Sequence, residues 1–78
     1  METEVALVVD ARGLSCPLPV IRAKKGLAEV RVGELIEVLA TDPGSMADFR
    51  AWSRSTGHEL VRAQDDGDRF SFWIRRAK

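Results

Sequence analysis

Strand-length apolar runs alternate with helix-length amphipathic segments along this chain, and that order restricts the fold more than any other feature. Val5, Ala6, Leu7, Val8 and Val9 form a continuous β-rich run ending at Asp10, the pattern of a strand covered on at least one face by helices. Gly13 supplies a flexible turn. Cys16-Pro17 then reads as a helix start, because proline at the first helical position gives up a donor that would be unpaired there. The spacing predicts this helix from Pro17 to Val30: Val20, Ala23, Leu27 and Val30 share one face with Ile21 at its flank, while Arg22, Lys24, Lys25 and Glu29 fall largely on the other. Gly26 weakens it by about 1 kcal/mol relative to alanine.

Gly33-Glu34 marks a turn before a second strand from Leu35 to Ala40. Asp42-Pro43-Gly44-Ser45 carries turn and cap residues, and Ser45 with Asp48 resembles a capping box built with the shorter acid. A second helix is predicted from Met46 to Thr56, with Met46, Phe49 and Trp52 or Ser53 facing inward and Gly57 ending it. His58 to Gln64 reads as a third strand, Asp65-Asp66-Gly67-Asp68 as a hairpin turn, and Arg69 to Arg75 as a fourth strand. In that last strand Phe70, Phe72 and Ile74 oppose Ser71, Trp73 and Arg75. The order is β-α-β-α-β-β, an α/β (α+β) arrangement. Right-handed crossovers put both helices on one sheet face if the strand order advances in one direction. The other face then exposes Trp73 with either Leu35 and Leu39 or Ile36 and Val38. It is either a hydrophobic patch for a partner or a surface curled by twist and covered by long charged side chains.

Composition sets the outer limits. With 78 residues, 45% of them hydrophobic, the chain is one globular domain spanning 1–78 rather than a disordered tail. A domain of this size buries only about 60% of the surface its unfolded chain exposes, enough for a single core between two layers. Twelve basic and twelve acidic residues leave no long-range field toward nucleic acid or anionic lipid. Cys16 is the one cysteine and His58 the one histidine, so an internal disulfide is excluded and a zinc site lacks ligands. No metal or cofactor motif is present. The longest apolar run, Val5 to Val9, follows Met1, Glu2, Thr3 and Glu4 with no basic residue. Neither a signal peptide nor a membrane span is expected, and the location is expected to be cytoplasmic with Cys16 reduced.

The informative segment runs from Asp10 to Pro19. It sets Cys16 between a strand-following loop and a helix amino end, where the helix dipole favours the thiolate. Pro17 and Pro19 have no N–H, so only the donors of Leu18 and Val20 remain for the sulfur, and the expected pKa depression is modest. The prolines also fix the backbone, holding Cys16 at an exposed tip within reach of a second protein's sulfur. The competing fate is that of most lone cysteines, burial as a small hydrophobe. Arg12, in the same loop and permanently charged, is the candidate helper of a thiolate. Asp10 and Asp42 read as turn and cap residues, and His58 as a surface or hinge histidine rather than a base.

Taken together, Gly13-Leu14-x-Cys16-Pro17-x-Pro19, Gly33-Glu34, Asp42-Pro43, His58-Glu59-Leu60, Asp66-Gly67 and Ile74-Arg75 resemble the TusA (SirA-like) sulfur carrier family over nearly the whole chain. The resemblance implies a two-layer sandwich whose mixed four-stranded sheet has the order 1-2-4-3, with two helices on one face. It also implies that Cys16 accepts a sulfane sulfur as a persulfide from a cysteine desulfurase or rhodanese-type donor and passes it to a downstream acceptor protein. Gly13, Leu14, Pro17 and Pro19 are then its supporting motif. The chain departs from the pattern at Leu18, where TusA has glutamate, and at Ala47, where it has arginine. Both changes remove charge that steers a partner. Ser53 aligns with a second cysteine of many relatives, so a disulfide mechanism within one chain is closed while a carrier role survives.

Three functions compete. A sulfur carrier needs an exposed thiol, a docking face and no cofactor, and in this reading Arg22, Lys24 and Lys25 steer an acidic donor. The alternative is a non-catalytic RNA- or protein-binding module, since the fold also resembles the carboxy-terminal domain of a bacterial translation initiation factor that contacts ribosomal RNA. Arg22, Lys24, Lys25, Arg75, Arg76 and Lys78 supply a basic patch for it. Twelve acids oppose that patch and no RNP-like aromatic pattern accompanies it, so direct nucleic-acid binding is not expected. A thiol redox regulator lacks its resolving cysteine. For a carrier, tRNA thiolation, molybdenum cofactor maturation and sulfur metabolism all remain open as destinations.

Overall fold

Six elements follow one another in the expected order: β1 Val5–Ala11, α1 Leu18–Leu27, β2 Leu35–Ala40, α2 Ser45–Thr56, β3 Glu59–Asp65 and β4 Phe70–Arg75. The computed structural model describes residues 4–78; Met1, Glu2 and Thr3, on which the expectation about a signal segment partly rests, lie outside the described residues. The strands form one sheet in the order β1-β2-β4-β3, the order that the resemblance implied. β1 and β2 are parallel, and β4 runs antiparallel to both β2 and β3. Among the described residues no helix is long and apolar enough to cross a membrane.

The period-two alternation decides which face is covered. Ile36, Val38 and Ala40 of β2 lie opposite Ile74, Phe72 and Phe70 of β4, and the core gathers these with Ala23 and Leu27 of α1 and Phe49 of α2. Both helices therefore lie on that face. Leu35, Leu39 and Trp73 point the other way, which resolves the alternative between Leu35 with Leu39 and Ile36 with Val38. That second face is partly covered by charged side chains: the Arg62 guanidinium lies 5.2 Å from the Trp73 ring centroid, and Arg75 reaches Glu59 at 3.5 Å. Val8 and Val61 stay exposed on it. Val5, Leu35, Glu37, Val61, Arg62 and Trp73 line a shallow hollow there.

Helix boundaries show where tertiary structure overrides the pattern. α1 stops at Leu27, not Val30, because the chain tightens: Glu29 N–H donates to the Gly26 carbonyl and Val30 N–H to that of Leu27, each three residues back. Val30 still reaches the core from this turn. α2 begins at Ser45 with Gly44 as its N-cap, and the expected capping box does not form. Ser45 Oγ is buried without a partner among the described residues, while the Asp48 side chain turns to Cys16. Asp42 takes the turn role instead, accepting from Gly44 N–H at 2.9 Å. At the far end Gly57, with φ +87°, closes α2 by donating to the Ser53 carbonyl, as expected.

Gly26 is a packing position. A Cβ there would stand 2.7 Å from Val9 Cγ2 and 3.4 Å from Leu7 Cδ2, so α1 crosses β1 too closely for any side chain. Gly26→Ala gains up to about 1 kcal/mol of helix propensity. Overpacking against the stiff, β-branched Val9 costs about 1–3 kcal/mol. The second effect wins, so the urea midpoint of Gly26→Ala should fall below the parent's. A raised midpoint would show that β1 yields freely at this crossing.

Candidate functional site

Because β1 and β2 are parallel neighbours, the loop after β1 and the loop after β2 both leave from carboxyl ends at the same edge of the sheet. The two loops are tied together: Gly13 N–H donates to Thr41 Oγ1 at 2.9 Å, and Gly13 itself has φ +80°. Leu14 N–H donates to the Ala11 carbonyl, and the Leu14 side chain packs on the core. On the other side of the thiol Pro19 is fully buried. Cys16 is thus carried between two anchors, and its side chain is exposed, which sets aside the buried small-hydrophobe fate. The Cys16-Pro17 peptide bond is cis.

The helix dipole does not act on the sulfur as expected. α1 begins at Leu18 with Pro17 as its N-cap, one residue later than the sequence predicts, so Cys16 stands outside α1. The two donors expected at the sulfur are spent on backbone: Leu18 N–H donates to the Ser15 carbonyl at 2.8 Å and Val20 N–H to that of Pro17 at 3.1 Å. With Pro17 and Pro19 lacking N–H, the first turn offers nothing to a thiolate. Instead Cys16 Sγ–H donates to Asp48 Oδ2 on the first turn of α2. That hydrogen bond, followed by desolvation and by the charges of Asp48 and Asp42, pushes the thiol up to about 11. The expected depression is reversed.

Arg12 does not help the thiolate either. Its guanidinium holds Asp10 in a two-point pair, Nε to Oδ1 at 2.9 Å and the second nitrogen to Oδ2 at 3.0 Å. This pairing draws the Asp10 carboxyl down to about 2. Arg22, Lys24 and Lys25 are exposed on α1, and none is among the charges acting on Cys16. Lys24 and Lys25 sit in the last turn, where they complement the negative end of the helix dipole. His58 is held at the opposite end of α2: its Nδ1 accepts from Ala77 N–H at 3.0 Å and its ring lies over Trp52. Desolvation, with Lys78 and Arg76 nearby, lowers its pKa. It is a clamp on the carboxy-terminal residues.

Leu18 and Ile21 are large hydrophobics exposed at 45% and 44%, three residues apart on one face of α1, and they form an apolar lip at the start of the helix that follows Cys16. The sequence points to Leu18 only through the charge it removes; its exposed pairing with Ile21 is seen in the structure. Asp48 is the larger difference, since its spacing from Ser45 predicts a capping box and not a contact with Cys16. Parallel β1 and β2 bring the start of the helix after β2 against the loop after β1, and that topological argument was the available signal.

The model of the family described as Sulfurtransferase TusA matches residues 7–76 of the chain. Sulfur carrier protein TusA of Allochromatium vinosum is 46% identical over 69 residues, covering 88% of this chain and 91% of that protein. Sulfur carrier protein TusA of Pseudomonas putida is 39% identical over 69 residues, covering 88% and 86%. Among solved structures, the SirA-like protein of Desulfitobacterium hafniense matches with a TM-score of 0.76 and 30% identity, over 92% of this chain and 99% of that one.

Proposed function

The chain belongs to the sulfurtransferase TusA family, and from that we propose that Cys16 is the atom-carrying residue of a sulfur carrier working in the cytoplasm. Cys16 accepts a sulfane sulfur from the persulfide of a cysteine desulfurase or rhodanese-type donor and yields it to an acceptor protein. In the first step a Cys16–sulfur bond forms and the donor's S–S bond breaks. The bonding pair goes to the donor cysteine, which takes up the proton that Cys16 gave, so thiol plus persulfide becomes persulfide plus thiol. No oxidant or cofactor enters the balance. The observation that supports this reading is the one thiol of the chain, exposed between two anchored loop ends at the carboxyl edge of the sheet.

Gly13 and Leu14, with Pro17 and Pro19, serve as the support of that thiol. The lip of Leu18 and Ile21 and the exposed cations Arg22, Lys24 and Lys25 make α1 the face toward an acidic donor. The receiving pathway, whether tRNA thiolation, molybdenum cofactor maturation or sulfur metabolism, is then a matter of which acceptor docks.

Incubation with a cysteine desulfurase, cysteine and pyridoxal phosphate, followed by mass measurement without reductant, should show the parent gaining one sulfur atom that a thiol reductant removes. Reversing the charges of Lys24 and Lys25 should slow the gain and flatten its dependence on salt. A parent that gains no sulfur from several desulfurase and rhodanese donors sinks the carrier reading, and a salt profile unchanged by charge reversal removes α1 from docking.

A further inference from the structure

Among the described residues the charges acting on Cys16 are carboxylates. Asp48 on the first turn of α2 accepts its Sγ–H, and Asp42 in the loop after β2 adds a second negative charge. From the other elements around it, the first turn of α1 contributes no charged side chain, and Arg12, in the loop after β1, is committed to Asp10. Ala47, exposed beside Asp48, brings no cation to it. We propose that Asp48 is a positioning residue that keeps the empty carrier's Cys16 as a protonated thiol, shielding it from small electrophiles and disulfides until a donor is docked. The proposal rests on the reading of Cys16 as sulfur acceptor. Once the sulfur is loaded, Sγ has no proton to donate, so the guard acts on the empty form alone.

The size of the effect follows from the thiolate population. A thiol raised from 9.0 to about 11 has about 100-fold less thiolate at neutral pH. The more basic thiolate is intrinsically more nucleophilic and recovers part of that, leaving a net slowing of roughly tenfold.

The test is reaction of the free protein with a small aromatic disulfide, followed by absorbance from pH 6 to 11.5. Asp48→Asn should react roughly tenfold faster than the parent at neutral pH, with the inflection of its pH profile moved toward that of an ordinary thiol. Asp48→Glu, which keeps the charge, should return the rate toward the parent's. Asp68→Asn, in the exposed β3–β4 turn, should change nothing. Equal rates and superimposable profiles for the parent and Asp48→Asn overturn the proposal, as does a faster Asp48→Asn whose inflection has not moved, since that reports loosened packing. Sulfur loading is scored separately. Failure to load with the shifted profile intact counts against the carrier reading alone, and loading without the shift counts against the guard alone.

Discussion

Cys16→Ser should take up no sulfur from any donor and should unfold at the parent's midpoint. A serine hydroxyl is a weak nucleophile without a dedicated base, and no other thiol exists in the chain to replace Cys16. The loss is therefore complete rather than graded. Stability should not follow it, because the side chain is exposed and the serine hydroxyl can donate to Asp48 where the thiol does. A change within about 0.5 kcal/mol is expected for such a surface substitution. No capping gain is expected from serine either, since Pro17 holds the N-cap and Leu18 N–H is bonded to the Ser15 carbonyl. A buried thiol would behave differently: an unpartnered hydroxyl in its place costs about 1–3 kcal/mol. Mass measurement without reductant and thermal unfolding of the same two samples separate the cases. Sulfur uptake by Cys16→Ser would show that the gain resides elsewhere, and a midpoint well below the parent's would contradict the exposure of residue 16.

Strand pattern was the most legible part of the sequence, because burial on one face writes itself as alternation. β2 spans Leu35–Ala40 as predicted, and Phe72 and Ile74 turn to the core with Phe70 beside them. Helix ends were less legible. The apolar period runs on to Val30, yet α1 ends at Leu27, since a residue in the turn that follows can reach the same core. The exposed position of the thiol was readable as one of two fates, from Cys16-Pro17 following a strand and Gly13. Its electrostatics were not. Local reasoning paired Cys16 with its own helix and with Arg12 nearby in sequence, whereas the group that touches it, Asp48, lies 32 residues away. Asp48 and Ser45 have the spacing of a cap, and nothing local distinguishes a carboxylate that caps from one that leaves its helix to meet another loop. Parallel pairing of β1 with β2 creates that meeting, and long-range pairing is not written in local periodicity.

Phe49→Ala should cost the protein a large share of its stability. Phe49 is fully buried, stacks on Phe72 at a centroid distance of 4.4 Å and meets Trp52 edge-on at 6.0 Å, so it is the main apolar bond between α2 and the sheet. Truncating a buried phenylalanine costs about 3–5 kcal/mol, through lost transfer energy and the cavity left behind. A chain of 78 residues has roughly 4–12 kcal/mol in total. The thermal midpoint should therefore fall by more than about 10 °C, with Trp52 fluorescence reporting the loosened contact. The neighbouring Asp48 gives this variant a second readout. If α2 no longer holds its first turn against the loop after β1, the contact from Asp48 to Cys16 loosens as well. The thiol should then react faster even under conditions where the variant is folded, whereas Trp73→Ala on the opposite sheet face should leave thiol reactivity at the parent's rate. A Phe49→Ala protein that melts within a few degrees of the parent would show that α2 is held by contacts other than its one fully buried aromatic. A folded one whose thiol stays slow would show that the start of α2 is fixed locally by Asp42 and Gly44 rather than by the core beneath it.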